Sequence, residues 1–288
     1  MSTADITLPT RRSGAKTVAQ LLAFARRHVL TVYSLLFFLY LMLPIGVVIA
    51  FSFNHPTGRF NYKWRGFTWD NWLHWNAVPG IQSAIMLSLE IALFASIVAT
   101  ALGTLIALAL VRYGFRGRGV TNLIIFLPLS TPEIVLGASL ATLFLHSTSY
   151  GVSIPFGFWT ILIAHIMFCV SFAVVTVKAR LIGFDRHLEE AAMDLGANEW
   201  VTFRKVTLPL IAPAILAALL LCFAISVDDF VVTYFNAGNR VTFPIFVWGA
   251  ARVATPPQIN VIGTAIFAVA VTCMLGNVFL QNRRAKTA

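Results

Sequence analysis

Long stretches without a charged side chain restrict the fold of this chain more than any other feature of its sequence. A helix needs about 20 mostly apolar residues to cross the hydrocarbon core of a bilayer. Five stretches reach that length with at most one charged residue each: Val29–Phe53, Ile91–Val111, Gly119–Val177, Val206–Val227 and Val253–Asn282. The third is long enough for two crossings, and the Ser-, Gly- and Pro-rich segment 147–157 divides it. The sequence therefore predicts an all-α polytopic membrane protein with six transmembrane helices.

Charged residues are too scarce for a soluble domain. They make up 11% of the 288 residues, against 58% hydrophobic residues, whereas soluble domains carry about 25% charged residues. The net charge of +10 is compatible with a nucleic acid or a membrane surface. Sixteen of the 21 basic residues lie at the chain ends and in the second and fourth connections, and five lie on the opposite side. By the positive-inside rule both termini are cytoplasmic, and no nucleic-acid partner is expected.

The apolar runs also set the predicted domain boundaries. Residues 1–28 form a polar, basic and loose cytoplasmic tail, and residues 283–288 a second, short cytoplasmic tail. Residues 29–282 form the six-helix membrane domain, which is surrounded by membrane lipid. The three cysteines lie within apolar runs, so we expect buried packing residues rather than a disulfide or a metal site: Cys169, Cys222 and Cys273.

The first outer connection, residues 54–82, is rich in tryptophan. It contains Trp64, Trp69, Trp72 and Trp75. One interpretation is an interfacial aromatic belt on a short amphipathic segment. The other is a docking surface for an external partner, and the sequence leaves both open.

The connection between the fourth and fifth spans, residues 178–208, is too long for a simple turn. Apolar and small residues recur in it at three- and four-residue spacing, which predicts a short amphipathic helix: Leu188, Ala191, Ala192 and Leu195. Asp185 is a suitable N-cap for this helix, and Gly196 can end it in a left-handed conformation. Leu208-Pro209 is then expected to begin the fifth membrane helix, because proline is tolerated in a first turn.

This connection contains Glu190-Ala191-Ala192, then three residues and Gly196, then nine residues and Val206-Thr207-Leu208-Pro209. The pattern resembles the signature loop of ABC importer permeases, with Val206 where the family usually has isoleucine. The resemblance implies the type I ABC importer permease fold in the cytoplasmic (inner) membrane, and a helix that seats in a separate ATPase subunit. The residues that it assigns to ATPase coupling are Glu190, Ala191, Ala192, Asp194, Gly196, Leu208 and Pro209.

The resemblance also implies an assembly of several chains. Its expected partners are a second permease subunit, two ATP-binding subunits and an external solute-binding protein. The sequence contains no Gly-x-x-x-x-Gly-Lys-Ser/Thr phosphate loop. We therefore expect that this chain is not an enzyme and holds no catalytic residue, cofactor or metal, and that ATP and Mg²⁺ bind to the partner ATPase.

Two further stretches narrow the expected cargo. They are residues 127–137, with the sequence LPLSTPEIVLG, and residues 223–233, with the sequence FAISVDDFVVT. Both look like the second permease subunit of spermidine/putrescine importers, the PotC-like branch. Together with the signature loop, the similarity covers roughly residues 85–240. It implies that the chain forms a translocation path for polyamines.

Four carboxylates in or near the spans are candidates for that path: Glu90, Glu133, Asp228 and Asp229. A charge at the bilayer centre costs about 2.5–3.5 kcal/mol, so acids in spans usually face a pathway or a partner. Glu133 follows Pro128 and Pro132, which should interrupt the third helix. No Lys or Arg lies inside a span, which suits a polycationic cargo. Each acid also has an alternative role. Glu133 would make a structural hydrogen bond at the break in the third helix, and Glu90 would make a packing or inter-subunit contact. The two aspartates would lie at a solvated helix end.

Other functions are compatible with parts of this pattern. A related cargo, such as an opine, an amino-acid derivative, thiamine or ferric iron, fits the same signature loop. An ion-coupled secondary transporter would share the helices and buried acids but would not need that loop. An intramembrane hydrolase would need motifs that are absent, since His187-Leu188-Glu189-Glu190 is followed by alanine where a second histidine belongs. His146 and His165 are expected to be an interfacial and a core residue.

Overall fold

A computed structural model describes residues 13–58, 60–147, 151 and 154–287, with side chains from residue 28 onward except 273–275 and 277–287. Within these residues every regular element is helical, which confirms the predicted all-α class. The helices are α1 Ser13–Ser52, α2 Asp70–Leu73, α3 Ile81–Arg112, α4 Arg118–Ser130, α5 Glu133–Ser147, α6 Phe158–Ile182, α7 His187–Asp194, α8 Glu199–Thr202, α9 Leu208–Asp228, α10 Val231–Asn236, α11 Phe243–Val253 and α12 Pro257–Thr287. A π-helical segment, Phe203–Thr207, joins α8 to α9.

The chain divides into two compact units. The first contains the chain up to Ala77 and from Thr255 onward, and in it α12 packs against α1. The second, Val78–Ala254, contains α3 to α11 and therefore every candidate site residue.

The connection between α1 and α3 is held together by buried asparagine side chains. Asn54 Nδ2 donates to Asn61 Oδ1 at 2.6 Å, and Asn71 Nδ2 donates to the Asn54 carbonyl at 2.8 Å. Trp72 stacks on Phe53 with 5.5 Å between ring centroids. Among the described residues between α1 and α3, the regular structure is the single turn of α2, and three of the four tryptophans are exposed: Trp64, Trp69 and Trp75.

The core of the second unit is built by α3, α6 and α9. The buried face of α3 carries mostly small residues at three- and four-residue spacing, which lets another helix approach closely. A Cβ atom added at Gly103 would lie 2.5 Å from the Cβ of Ala173 in α6. As predicted, two of the cysteines are buried free thiols, Cys169 and Cys222; the side chain of Cys273 lies outside the described residues.

Four described helices are long and apolar enough to cross a membrane: His28–Ser52 within α1, α3, α6, and Glu199–Asp228, which includes α9. The bent pair of α4 and α5 counts as a fifth span if the two helices form one broken crossing. The described apolar part of α12, Pro257–Thr272, is shorter than the spans. The described residues therefore support four or up to five of the six predicted crossings.

Several helix boundaries differ from those predicted. α1 begins at Ser13, so residues 13–28 are helical rather than loose; residues 1–12 lie outside the described residues. α3 begins at Ile81 rather than Ile91, directly after Gly80, whose φ of +84° ends the preceding turn. Glu90, which lies within α3, bounds the uncharged run that begins at Ile91, so the run is shorter than the helix.

The fifth membrane helix begins at Glu199 rather than at Leu208. Asn198 caps its start, since its side chain accepts a hydrogen bond from Val201 N at 2.9 Å. The π turn before Pro209 explains why this proline does not end the helix. In a regular α-helix its ring would clash with the carbonyl four residues earlier, and the wider π turn relieves that clash.

Candidate functional site

The chain bends sharply between α4 and α5. α4 ends at Ser130 and α5 begins at Glu133, and the pair is bent by 110°. Thr131 is extended because the residue before a proline avoids the helical conformation, and Pro132 has no N–H to continue the ladder. The hydroxyls of Ser130 and Thr131 donate to backbone carbonyls one turn earlier, at 3.1 and 2.7 Å. The predicted interruption is confirmed, although Pro128 itself lies inside α4.

A cavity of about 460 Å³ lies at this bend, within the second unit. Four helix ends meet around it: the C-terminal ends of α4 and α9 and the N-terminal ends of α5 and α10. Its lining includes three of the four predicted acids and three phenylalanines: Glu133, Asp228, Asp229, Phe168, Phe172 and Phe230. The described lining residues include no Lys, Arg or His.

The charges at this cavity favour a positively charged ligand. A helix C-terminus carries about half a negative charge and an N-terminus about half a positive charge, so the four helix ends nearly cancel. The three carboxylates then remain without a basic residue in the lining. A cavity lined by one sign of charge concentrates ions of the opposite sign.

Asp229 is held by contacts within the chain. Its side chain is 7% exposed and accepts hydrogen bonds from the N–H and the hydroxyl of Thr233, both at 2.7 Å. His165 Nε2 lies 3.4 Å from Asp229 Oδ2 and 2.9 Å from Thr233 Oγ1, and His165 Nδ1 lies 2.6 Å from Ser226 Oγ. His165 is a core residue, as predicted, but its link to Asp229 was not predicted. The two residues are far apart in the sequence, so no spacing signals their contact.

The other three predicted acids differ in position. Glu133 and Asp228 are exposed and line the cavity. Among the described hydrogen bonds, those at the break come from the hydroxyls described above rather than from Glu133. Glu90 is exposed, lies well inside α3 rather than near its end, and is not part of the cavity lining. The structure thus brings together three of the four candidates and separates Glu90 from them.

The predicted ATPase-coupling residues lie on α7, just after it, and at the start of α9. The helix ends as predicted, with Gly196 at φ +90°. Ala197 N donates to the Ala192 carbonyl at 3.1 Å and Gly196 N to the Met193 carbonyl at 2.9 Å, which together form a Schellman motif. Asp185 accepts a hydrogen bond from His187 N at 3.0 Å, one residue before the formal N-cap.

Most of these coupling residues are at the surface. Five of them are exposed and two are half-buried: Glu190, Ala191, Asp194, Gly196 and Pro209, then Ala192 and Leu208. The large apolar side chains of the connection are exposed too, by 49% for Leu188, 90% for Leu195 and 67% for Trp200. The described part of this chain therefore leaves an apolar face of α7 and α8 uncovered.

One buried residue of α7, Glu189, is not predicted by the sequence pattern. Glu189, next to the exposed Glu190, is 6% exposed. It pairs with both terminal nitrogens of Arg112 at the end of α3, and the Thr207 hydroxyl donates to it. Two adjacent glutamates carry no local signal of which one faces the protein.

Comparison with known proteins identifies the family. Residues 99–285 match the family described as "Binding-protein-dependent transport system inner membrane component". The chain is 38% identical over 239 residues to the spermidine/putrescine transport system permease protein PotC of Haemophilus influenzae, covering 82% of this chain and 90% of that protein. It is 37% identical over 236 residues to the putrescine transport system permease protein PotI of Escherichia coli K12, covering 81% of this chain and 83% of that protein.

Solved structures show the same fold at lower sequence identity. A chain of a bacterial ABC transporter involved in the import of the acidic polysaccharide alginate superimposes with a TM-score of 0.66. The match covers 93% of this chain and 98% of that chain, at 17% identity. The fold, the family match over residues 99–285 and the two permease relatives together show that this chain belongs to the binding-protein-dependent transport system inner membrane components.

Proposed function

We propose that this chain is the membrane-spanning permease subunit of an ATP-driven polyamine importer, and that it forms the translocation path for spermidine or putrescine. The observation that carries the cargo assignment is the cavity lined by Glu133, Asp228 and Asp229 at the break between α4 and α5. Protonated polyamines are flexible polycations, and a negatively charged cavity whose lining includes phenylalanines suits them. The names of the relatives PotC and PotI agree with this cargo.

The proposed assembly contains a second permease subunit, two ATP-binding subunits and an external solute-binding protein. The family description itself specifies transport that depends on a binding protein. In this assembly α12 is the sixth span, and both termini are cytoplasmic. The distribution of 16 basic residues on one side against five on the other supports this orientation.

The uncovered apolar face of α7 and α8 is the proposed contact with the ATP-binding subunit. A short helix that projects from the membrane domain can seat in a cleft of that subunit and move with it when ATP binds. Its large exposed side chains include Leu188, Leu195 and Trp200, which would be buried by this contact. ATP and Mg²⁺ bind to the partner, because this sequence carries no phosphate loop.

The proposal is tested by uptake into proteoliposomes that contain the complete complex. Spermidine, putrescine, an opine, thiamine and ferric iron are offered in parallel, with and without ATP and the binding protein. Saturable polyamine uptake that requires both supports the proposal. ATP-driven uptake of another compound refutes the cargo, and uptake that follows a proton gradient without ATP refutes the importer class.

Glu133→Gln is expected to lower kcat/KM for polyamine uptake about tenfold or more, because a hydrogen bond to a charged group contributes about 1.5–3 kcal/mol. Assembly should not change, since Glu133 is exposed and the break is closed by other residues. The measurement is the initial rate of ATP-driven uptake across a range of spermidine concentrations.

Glu90→Gln is the matched control for this experiment. It makes the same chemical change at an exposed glutamate of α3 that does not line the cavity. We expect wild-type uptake for this control. Wild-type rates for Glu133→Gln at every spermidine concentration would remove Glu133 from the path.

A further inference from the structure

The two adjacent glutamates of α7 have opposite surroundings. The side chain of Glu190, the glutamate of the signature, is 60% exposed, and its carboxylate lies 3.1 Å from His187 Nδ1. The side chain of Glu189 is 8% exposed and lies against two other elements of the second unit. The signature thus marks the residue that faces outward, whereas its neighbour holds the helix in place.

Glu189 joins three elements at one carboxylate. Both of its oxygens receive hydrogen bonds from the guanidinium of Arg112, the last residue of α3. One oxygen also accepts from the hydroxyl of Thr207, which immediately precedes α9. α7 is therefore tied to the end of one membrane helix and to the beginning of another.

Two neighbouring contacts hold the same junction. Arg186, which precedes α7, donates to the Val111 carbonyl at 2.9 Å. The guanidinium of Arg112 lies over the ring of Phe184, 5.5 Å from its centroid. The first contact holds the residue before α7 against the end of α3. The second holds the Arg112 side chain against the connection between α6 and α7.

The chemistry of this junction makes it rigid. An arginine–carboxylate pair with two parallel hydrogen bonds has one favoured geometry, unlike a single-point contact of a lysine. Removing Arg112 would leave the Glu189 carboxylate, whose side chain is 8% exposed, without a compensating charge, which is strongly unfavourable. α7 therefore cannot shift without moving Arg112 and Thr207 or breaking the pair.

The helices at this junction lead to the cavity. α9 starts directly after Thr207 and ends at Asp228, which lines the cavity. With a rise of about 1.5 Å per residue, this helix carries a displacement over roughly 30 Å. α3 packs along both α6 and α9, so its end moves together with the same core.

We propose that Glu189 is a positioning residue that locks α7 to the ends of α3 and α9, so that motion imposed on α7 reaches the cavity. This inference rests on the proposed function, in which the ATP-binding subunit moves α7. It predicts that weakening the lock leaves ATP hydrolysis and assembly in place but separates hydrolysis from transport.

The test compares the complete complex carrying wild type, Glu189→Gln or Thr207→Val in proteoliposomes. The readout is the number of polyamine molecules taken up per ATP hydrolysed, together with the amount of assembled complex. We expect Glu189→Gln to lower this ratio about tenfold and Thr207→Val to lower it about threefold, within the range found for residues that carry coupling. Glu90→Gln makes the same change at an exposed glutamate of α3 that neither lines the cavity nor belongs to α7 or α8; it is the matched control and should couple as wild type.

Exchange of the two charges provides the rescue. Glu189→Arg alone should lower the number of polyamine molecules taken up per ATP hydrolysed. The variant with both Glu189→Arg and Arg112→Glu restores a pair at the same place and should recover part of that number. Wild-type coupling in Glu189→Gln would overturn the inference. The inference would also be overturned if, in both Glu189→Gln and Thr207→Val, uptake and hydrolysis fell only in proportion to the amount of assembled complex.

A second readout does not depend on transport. Backbone hydrogen exchange of residues 187–194 in the full chain in lipid nanodiscs should be about tenfold faster in Glu189→Gln than in wild type or Glu90→Gln. Equal exchange in all three would refute the lock itself. The proposed function would instead be refuted if the wild-type complex showed no ATP-driven uptake. Faster exchange in Glu189→Gln would then still support the contact of Glu189 with α3 and α9.

Discussion

Gly103→Leu is expected to prevent stable packing of α3 against α6. A Cβ atom at this position would lie 2.5 Å from the Cβ of Ala173 and 3.0 Å from the Val174 nitrogen. Part of the obstacle is backbone, which a change of rotamer cannot remove, so the two helices have to separate. Overpacking of this kind costs about 3 kcal/mol. We expect the midpoint of thermal unfolding in detergent to fall by roughly 10 °C, with a matching loss of monodisperse protein.

Gly46→Leu is the control for this substitution. Gly46 also lies in a membrane-spanning helix, α1, but no neighbouring atom lies within 4 Å of its added Cβ. This variant should unfold at the wild-type temperature. An equal midpoint for Gly103→Leu and wild type would show that α3 and α6 do not depend on their close approach.

Gly196→Pro is expected to abolish the stimulation of ATP hydrolysis by the loaded binding protein, and with it transport, while the chain still inserts. Proline fixes φ near −65°, whereas Gly196 has a φ of +90° and donates its N–H to the Met193 carbonyl. The substitution therefore breaks the end of α7, because proline can neither adopt this φ nor donate that hydrogen bond. We expect ATP hydrolysis stimulated by the loaded binding protein to fall at least about tenfold, as measured in the complete complex.

Gly196→Asn separates the effect of backbone conformation from that of an added side chain. Asparagine adopts the left-handed conformation more readily than other non-glycine residues, and no atom lies within 4 Å of an added Cβ at position 196. We expect this variant to retain most of the stimulated hydrolysis. If Gly196→Pro hydrolysed ATP at the wild-type stimulated rate, the end of α7 would have no part in coupling.

Predictions that depended on neighbouring residues in the sequence were the most accurate. The break after α4 follows from Pro132 and its effect on Thr131, and both are local steric effects. The left-handed end of α7 at Gly196 has the same origin. The start of the fifth membrane helix was wrong because Leu208-Pro209 was taken as a boundary, whereas a π turn carries the helix past it.

Predictions of which polar groups meet were incomplete, because those contacts join distant parts of the chain. The partners Arg112 and Glu189 are separated by 77 positions, and His165 and Ser226 by 61. Periodicity places a residue on a helix but does not identify the helix that packs against that face. Only the packing shows that Glu90 lies outside the cavity lining, and its place on the path stays a prediction.

The sequence by itself determined the all-α class, the apolar spans, the break at Pro132 and the signature helix with its glycine end. Each of these depends on burial of apolar residues or on steric limits over a few neighbouring residues. Only the tertiary structure decided that Glu133, Asp228 and Asp229 share a cavity, that His165 holds Asp229, and that Glu189 rather than Glu190 ties α7 to the membrane helices. These outcomes depend on how helices pack, because a charge or a hydrogen-bonding group in the interior must find its partner on another element.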